Sequence, residues 1–342
     1  MINVLIVDDS AFMRQIFKKN IDRESDLNTM GVARNGKDAL KKIDRYSPDV
    51  ITLDIEMPEM DGLETLKVLM DRKDFEIPII MVSALDNKSN VIDALDLGAF
   101  DFLPKPSKKI SMDIEEITDD LINKIRAAYQ SNKCRVDSKK RTPVENRVKN
   151  KNLEKFPIVA VGTSSGGPNA LKELLTALPA DFPGGMIIVQ HMPAGFTQTL
   201  AKRLDSVSKI DILEAKEGDQ LEKGKALIAP GNYHLEIIDK TVQLNQKDKK
   251  WGVRPCVDYM METVAQSFTN RVIGVVLTGM GHDGGLGMRA IKNNGGYCII
   301  QDKESSLVYG MPQAVKDQNA YDEIIPLSDI PHKIMDVIER KF

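Results

Sequence analysis

The sequence predicts two α/β domains, each a doubly wound parallel sheet, and three observations carry that prediction. Short, nearly all-aliphatic runs alternate with amphipathic segments over residues 1–128, and the alternation resumes over residues 156–342. Strands that are apolar throughout belong to sheets covered by helices on both faces. Between the two stretches, residues 129–155 lose apolar periodicity and carry far more Lys and Arg than Asp and Glu, the composition of a flexible basic linker. Finally, acids, hydroxyls and histidine recur just past the ends of the aliphatic runs, where a parallel sheet gathers its functional loops.

In the first stretch INVLIV, NTMGVA, DVITLD, IPIIMVS and FDFLP read as strands, because they are short and aliphatic. AFMRQIFKKNI, GKDALKKIDRY, GLETLKVLM, NVIDALDLG and EEITDDLINKIRAAY read as the intervening helices. In the second stretch FPIVAVG, GMIIVQ, VIGVVLTG and YCIIQ are strands, and ALIAP, HLEII and TVQLN form a β-rich patch. Helices are expected from about Asn169 to Leu178, around Phe196 to Leu204, after Pro255, after Gly284 and from Asp329.

The bulk numbers exclude several classes of function. A formal net charge of −3 gives no global reason for a nucleic-acid partner. Three scattered cysteines, Cys134, Cys256 and Cys298, contain no C-x-x-C pair, so neither a disulfide framework nor a zinc site is expected. MINVLIVDDS lacks the basic start and cleavage site of a signal peptide, and no stretch has the roughly 18 uninterrupted apolar residues of a membrane span. A soluble cytoplasmic chain without membrane insertion is expected.

Within the first domain, strands deliver Asp8 and Asp9, Asp54, Ser83 and Lys105 to one rim. Hard oxygen donors of this kind suit Mg²⁺, which takes one or two carboxylates plus phosphate oxygens. VDDS, TLDIEMPEMDG, MVSA and LPKP, in this order and spacing, make the segment resemble the receiver domain of two-component response regulators, a flavodoxin-like fold. The resemblance implies that Asp54 accepts a phosphoryl group from a histidine kinase, that Asp8, Asp9 and Asp54 hold Mg²⁺, and that Ser83 and Lys105 contact the phosphoryl oxygens. Phe102 stands at the family's switch-aromatic position and reads equally well as plain core.

In the second domain VGTSSGGP fits G-x-S-x-G, a serine on a sharp strand-to-helix turn, but also a glycine-rich phosphate cradle. A dinucleotide site would place an acid after the next strand; here GMIIVQ ends in His191, a base suited to a serine nucleophile. VIGVVLTG runs into GMGHDGG, so Asp283 joins Ser164 and His191 at strand ends as nucleophile, base and orienting acid. The order Ser, His, Asp differs from that of α/β-hydrolases, in which the acid precedes the histidine. His234 and His332 read as surface or packing residues, and His282 as incidental beside Asp283.

VGTSSGGP, VQHMPAGFTQTLAKRL, APGNYHLEI, RPCVDYM, VLTGMGHDGG and SSLVYGMPQAV together resemble the catalytic domain of the chemotaxis protein-glutamate methylesterases, a Rossmann-like α/β domain, across residues 155–342. The resemblance implies a Ser164, His191, Asp283 triad, an oxyanion hole using the main-chain N–H of Met280, and Ser165 as a neighbour in the site. It also implies demethylation of glutamate methyl esters, and deamidation of glutamines, on methyl-accepting chemotaxis receptors. Activation would come from a chemotaxis histidine kinase, whose phosphoryl transfer weakens the packing of the receiver over the Ser164 rim. Hydrolysis would need no cofactor, Mg²⁺ would serve the receiver alone, and the chain is expected to be a monomer. The rival readings are a DNA-binding regulator, which the sheet-forming neutral output disfavours, and a nucleotide sensor, which lacks the ribose-binding acid.

Overall fold

The computed structural model describes residues 1–84, 87–105, 114–131 and 156–342. The chain divides into two compact units, Met1–Cys134 and Arg135–Phe342. Of the linker expected over residues 129–155, the first three residues are the end of a helix and 132–155 lie outside the described residues.

The N-terminal unit alternates β1 (Ile2–Val7), α1 (Ala11–Ile21), β2 (Leu27–Ala33), α2 (Gly36–Tyr46), β3 (Val50–Asp54), α3 (Gly62–Met70), β4 (Ile79–Ser83), α4 (Lys88–Asp96), β5 (Asp101–Pro104) and α5 (Ile114–Ser131). All strands are parallel, in the order β2-β1-β3-β4-β5. The direction of winding reverses between β1 and β3, and the crevice at the carboxyl ends of those two strands is where such a sheet builds its site. Helix starts follow the local sequence. Ser10 caps α1, Asn35 caps α2, and Asp61 with Glu64 forms a capping box on α3.

The C-terminal unit contains β6 (Ile158–Thr163), α6 (Gly167–Ala177), β7 (Gly185–Gln190), α7 (Phe196–Asp205), β8 (Asp211–Glu214), β9 (Lys225–Ile228), β10 (His234–Ile238), β11 (Thr241–Asn245), α8 (Val257–Phe268), β12 (Val272–Val276), α9 (Gly285–Asn293), β13 (Tyr297–Gln301), α10 (Gly310–Asp317), β14 (Glu323–Ile325) and α11 (Ile330–Lys341). Its seven-stranded sheet runs β14-β13-β12-β6-β7-β9-β8 and is parallel throughout. Here the winding reverses between β6 and β12. The β-rich patch resolves into two pieces: ALI joins this sheet as β9, while β10 and β11 form a separate antiparallel hairpin. Two doubly wound parallel sheets are thus present, as the sequence predicts, with the hairpin as an addition.

Three elements escape the sequence reading. β8 is an edge strand of four residues and β14 one of three, too short to register as aliphatic runs. α10 begins Gly-Met-Pro, which reads as a turn until its buried Met311 and Val315 are seen against the core. The core on this side joins Ile187, Val189, Leu227, Met260, Val276 and Met288, all wholly buried.

Candidate functional sites

At the β1/β3 crevice of the N-terminal unit, carboxylate oxygens of Asp8, Asp9 and Asp54 all lie within 4.8 Å of one another. Lys105, just past β5, sets its Nζ 2.6 Å from Asp54 Oδ2 and 3.0 Å from Asp8 Oδ2. Burial pushes the Asp54 carboxyl up to about 6, against the opposing pull of the Lys105 ammonium. Burial also works against the charge on Lys105, but Asp54 and Asp8 hold its pKa above the ordinary lysine value. Ser83 is buried and donates its hydroxyl to the Ala84 carbonyl at 2.9 Å. Phe102 is buried on β5.

The carboxylates fit Mg²⁺. Asp8 Oδ2 is buried and, although it pairs with Lys105 by charge, makes no hydrogen bond, so a hard oxygen is left for a cation. Arg14, absent from the sequence reading, secures the Asp8–Asp9 turn. Its Nη1 donates to the carbonyls of Asp8 at 2.7 Å and Asp9 at 2.8 Å. Only the turn of α1 back over β1 makes that contact, so spacing alone gave no signal.

In the C-terminal unit Ser164 follows β6, His191 follows β7, and Met280 and Asp283 follow β12, so all four stand at adjoining carboxyl ends around the β6/β12 reversal. The serine turn is tied to the β12 loop. Ser164 N–H donates to the Thr278 carbonyl at 3.1 Å, Thr163 Oγ1 to the same carbonyl at 2.8 Å, and Thr278 Oγ1 to the Ser165 carbonyl at 3.0 Å. Gly166 closes the turn at φ +78°, a left-handed conformation that favours glycine. Gly279 allows the close approach: a Cβ there would lie 2.9 Å from Ser164 Cβ.

Asp283 Oδ2 receives His191 Nε2 at 2.8 Å. The imidazole is one-tenth exposed and the carboxylate nearly sealed. Asp283 also accepts from the N–H groups of Val257 at 2.6 Å, Asp258 at 2.9 Å and Gly284 at 2.9 Å, and from Cys256 Sγ at 3.1 Å. Burial would raise its pKa, yet the hydrogen bonds from His191 and the α8 amides prevail and lower it. Among the described residues, the Met280 N–H and the Ser164 hydroxyl have no hydrogen-bond partner. Ser165 is buried beside the turn.

Gln190 was missed from the sequence. Its Nε2 donates to the carbonyls of Ser164 at 3.0 Å and His191 at 3.2 Å, clamping the two turns together. The available signal was a polar residue closing an otherwise apolar strand. His234 is fully buried, its ring edge-on to Tyr259 with centroids 4.7 Å apart, and its Nε2 is 3.1 Å from the Asp248 carbonyl. His282 is exposed, and His332 lies in α11.

A carboxylate cluster on one doubly wound unit and a serine turn beside a His–Asp pair on the other define a response regulator with a hydrolase-like output. The chain matches the response regulator receiver domain over residues 4–115 and the CheB methylesterase domain over residues 159–334. A Pyrococcus horikoshii protein named protein-glutamate methylesterase/protein-glutamine glutaminase is 43% identical over 99% of this chain and 94% of its own. A Halalkalibacterium halodurans protein of the same name is 41% identical over 98% and 97%. The crystal structure of the Thermotoga maritima CheB methylesterase catalytic domain covers 54% of this chain and 99% of its own, at 40% identity and a TM-score of 0.52. The chain therefore belongs to the CheB methylesterase family and carries that family's domain behind a receiver domain. No described helix is long and apolar enough to cross a membrane.

Proposed function

We propose that this protein is a phosphorylation-activated serine hydrolase that removes methyl groups from glutamate esters, and amide nitrogen from selected glutamines, on chemotaxis receptors. The observation that carries the reading is the His191–Asp283 pair at 2.8 Å, standing with a serine turn and the unpartnered Met280 N–H at one sheet reversal in a chain of this family.

Because Nε2 is turned to Asp283, Nδ1 is the nitrogen that serves Ser164. His191 takes the hydroxyl proton as Ser164 Oγ attacks the ester carbonyl carbon, and Asp283 stabilises the resulting imidazolium. The oxyanion accepts the Met280 N–H. Collapse breaks the C–O bond, and methanol leaves with the proton from His191; for a glutamine substrate, ammonia leaves. Water, deprotonated by His191, then attacks the acyl-enzyme, releasing glutamate and restoring Ser164.

In the receiver, an Asp54 oxygen attacks the phosphorus of a kinase phosphohistidine, and the P–N bond breaks as the imidazole leaves. Asp8, Asp9 and Asp54 would hold Mg²⁺, which supplies positive charge against the phosphoryl oxygens. Lys105, freed from Asp54, and Ser83 would contact those oxygens. The phosphorylated receiver would release the Ser164 rim. Fluorophosphonate labelling with mapping of the modified residue tests the reading: Ser164 is the expected site, and labelling elsewhere or nowhere defeats it. A fragment of residues 156–342 should release methanol without a phosphoryl donor. Activity no higher than that of the unphosphorylated full chain would defeat the inhibition model.

A further inference from the structure

Helices α8 and α9 begin side by side, and neither the Cys256 nor the Gly284 position supplies a side-chain cap to its own helix. Each helix start is capped instead by an acid at or just ahead of the start of the other. Asp283, ahead of α9, takes the N–H groups of Val257 and Asp258. Asp258, in α8, takes the N–H groups of Gly284 at 3.0 Å and Gly287 at 2.8 Å through Oδ1. Its Oδ2 accepts Trp251 Nε1 at 2.8 Å, with Lys250 Nζ at 3.6 Å. The side chain is wholly buried, and each of these partners is a donor. An amide in its place would turn its own NH₂ toward an N–H group.

We propose that Asp258 is a positioning residue for the hydrolysis: it fixes the Asp283–Gly284 turn and stands as a second buried negative charge behind Asp283, favouring the imidazolium that His191 becomes. The inference rests on the Ser164–His191–Asp283 reading. Asp258 Oδ1 and Asp283 Oδ1 share the Gly284 N–H, at 3.0 and 2.9 Å. Oxygens of the two carboxylates lie within 4.8 Å of one another. Charge at Asp258 therefore reaches the pair through protein rather than water, where it is weakly screened. Titratable groups about the pair also include Cys256 just ahead of α8, Glu262 in α8, Lys250 in the preceding turn, His234 at the start of β10, whose charge is coupled to Asp283, and His282 in the loop after β12. Burial and Asp283 push the Cys256 thiol up, so it stays a neutral donor. Lys250 sits against Asp258 and Glu262 and partly offsets their charge.

The test uses the full-length chain and two readouts: the rate of Ser164 labelling by a fluorophosphonate across pH, and kcat and KM for methanol release from methylated receptor membranes. Asp258→Asn is expected to slow labelling roughly tenfold and to lower kcat far more than it changes KM. It should also move the acid limb of the pH profile down by about half a unit. Lys250→Met, which alters a partly exposed side chain and leaves the buried acids in place, should move the same limb up by about as much. If Asp258→Asn does not fold, the opposite shift in Lys250→Met decides alone. Limbs that coincide with the wild type in the folded variants overturn the inference, as does an equal loss at every pH. Absence of Ser164 labelling in the wild type would sink the triad reading itself, and this inference with it.

Discussion

Asp54 and Asp283 are buried to the same degree, each 1% exposed at the carboxyl end of a parallel sheet, yet their acidities move in opposite directions. Asp54 has the Lys105 ammonium and one long main-chain contact, Glu56 N–H at 3.3 Å, with Asp8 raising its pKa further. Asp283 has three N–H groups, a thiol and an imidazole. Burial alone does not set a carboxyl's charge; the donors that replace water do. The undersupplied acid is suited to take a cation and a phosphoryl group. The fully supplied one is suited to hold a histidine still.

That contrast can be attacked from its strongest side first. Ser164→Ala should reduce methanol release from methylated receptor membranes by about 10⁵-fold or more. If activity survives there and is lost in Ser165→Ala, the nucleophile is one residue on. Asp283→Asn should cost about 10³- to 10⁴-fold in kcat, because the amide presents a wrong partner to His191 and unpairs the α8 amides. An effect under tenfold would mean that the donors around Asp283 do no more than cap helices.

The Asp54 side of the comparison is read in stability. A carboxyl whose pKa rises on folding, here from 3.8 to about 6, favours the fold while protonated, and the advantage is lost as pH climbs through 6. In metal-free buffer Asp54→Asn should therefore match the wild type near pH 4 and exceed it by up to about 3 kcal/mol at pH 7.5. Thermal unfolding across pH measures this, and added Mg²⁺ should narrow the gap by stabilising the wild type. A gap that ignores pH would show that the Lys105 contact offsets the burial fully. The smallest effect belongs to Gln190→Met, which removes the donors on the Ser164 and His191 carbonyls. We expect about 1–3 kcal/mol in urea unfolding and a fall in kcat of a few fold.

The strand-end acids, the serine turn and His191 were legible in the sequence because each closes a continuous aliphatic run, and a parallel sheet converts run ends into neighbours. Asp258, Cys256, Gln190 and Thr278 were not legible in the same way. Asp258 sits one residue into an amphipathic helix, and its partners Gly284 and Gly287 come from another helix. The pairing exists only once α8 and α9 pack start to start. The hairpin β10–β11 was visible as strands, but nothing in its alternation told that it would stand apart from the sheet.

The exchange of caps between α8 and α9 bears on the order in which this domain matures. Asp283 is fixed by the amides of a helix that begins 26 residues earlier in the chain, and that helix cannot supply them until both segments have condensed. A half-folded catalytic domain would carry Ser164 and His191 without an oriented acid. On the proposed Ser164–His191–Asp283 reading it would be hydrolytically silent, so recovery of esterase activity during refolding should lag behind recovery of helical signal and report completion of the domain.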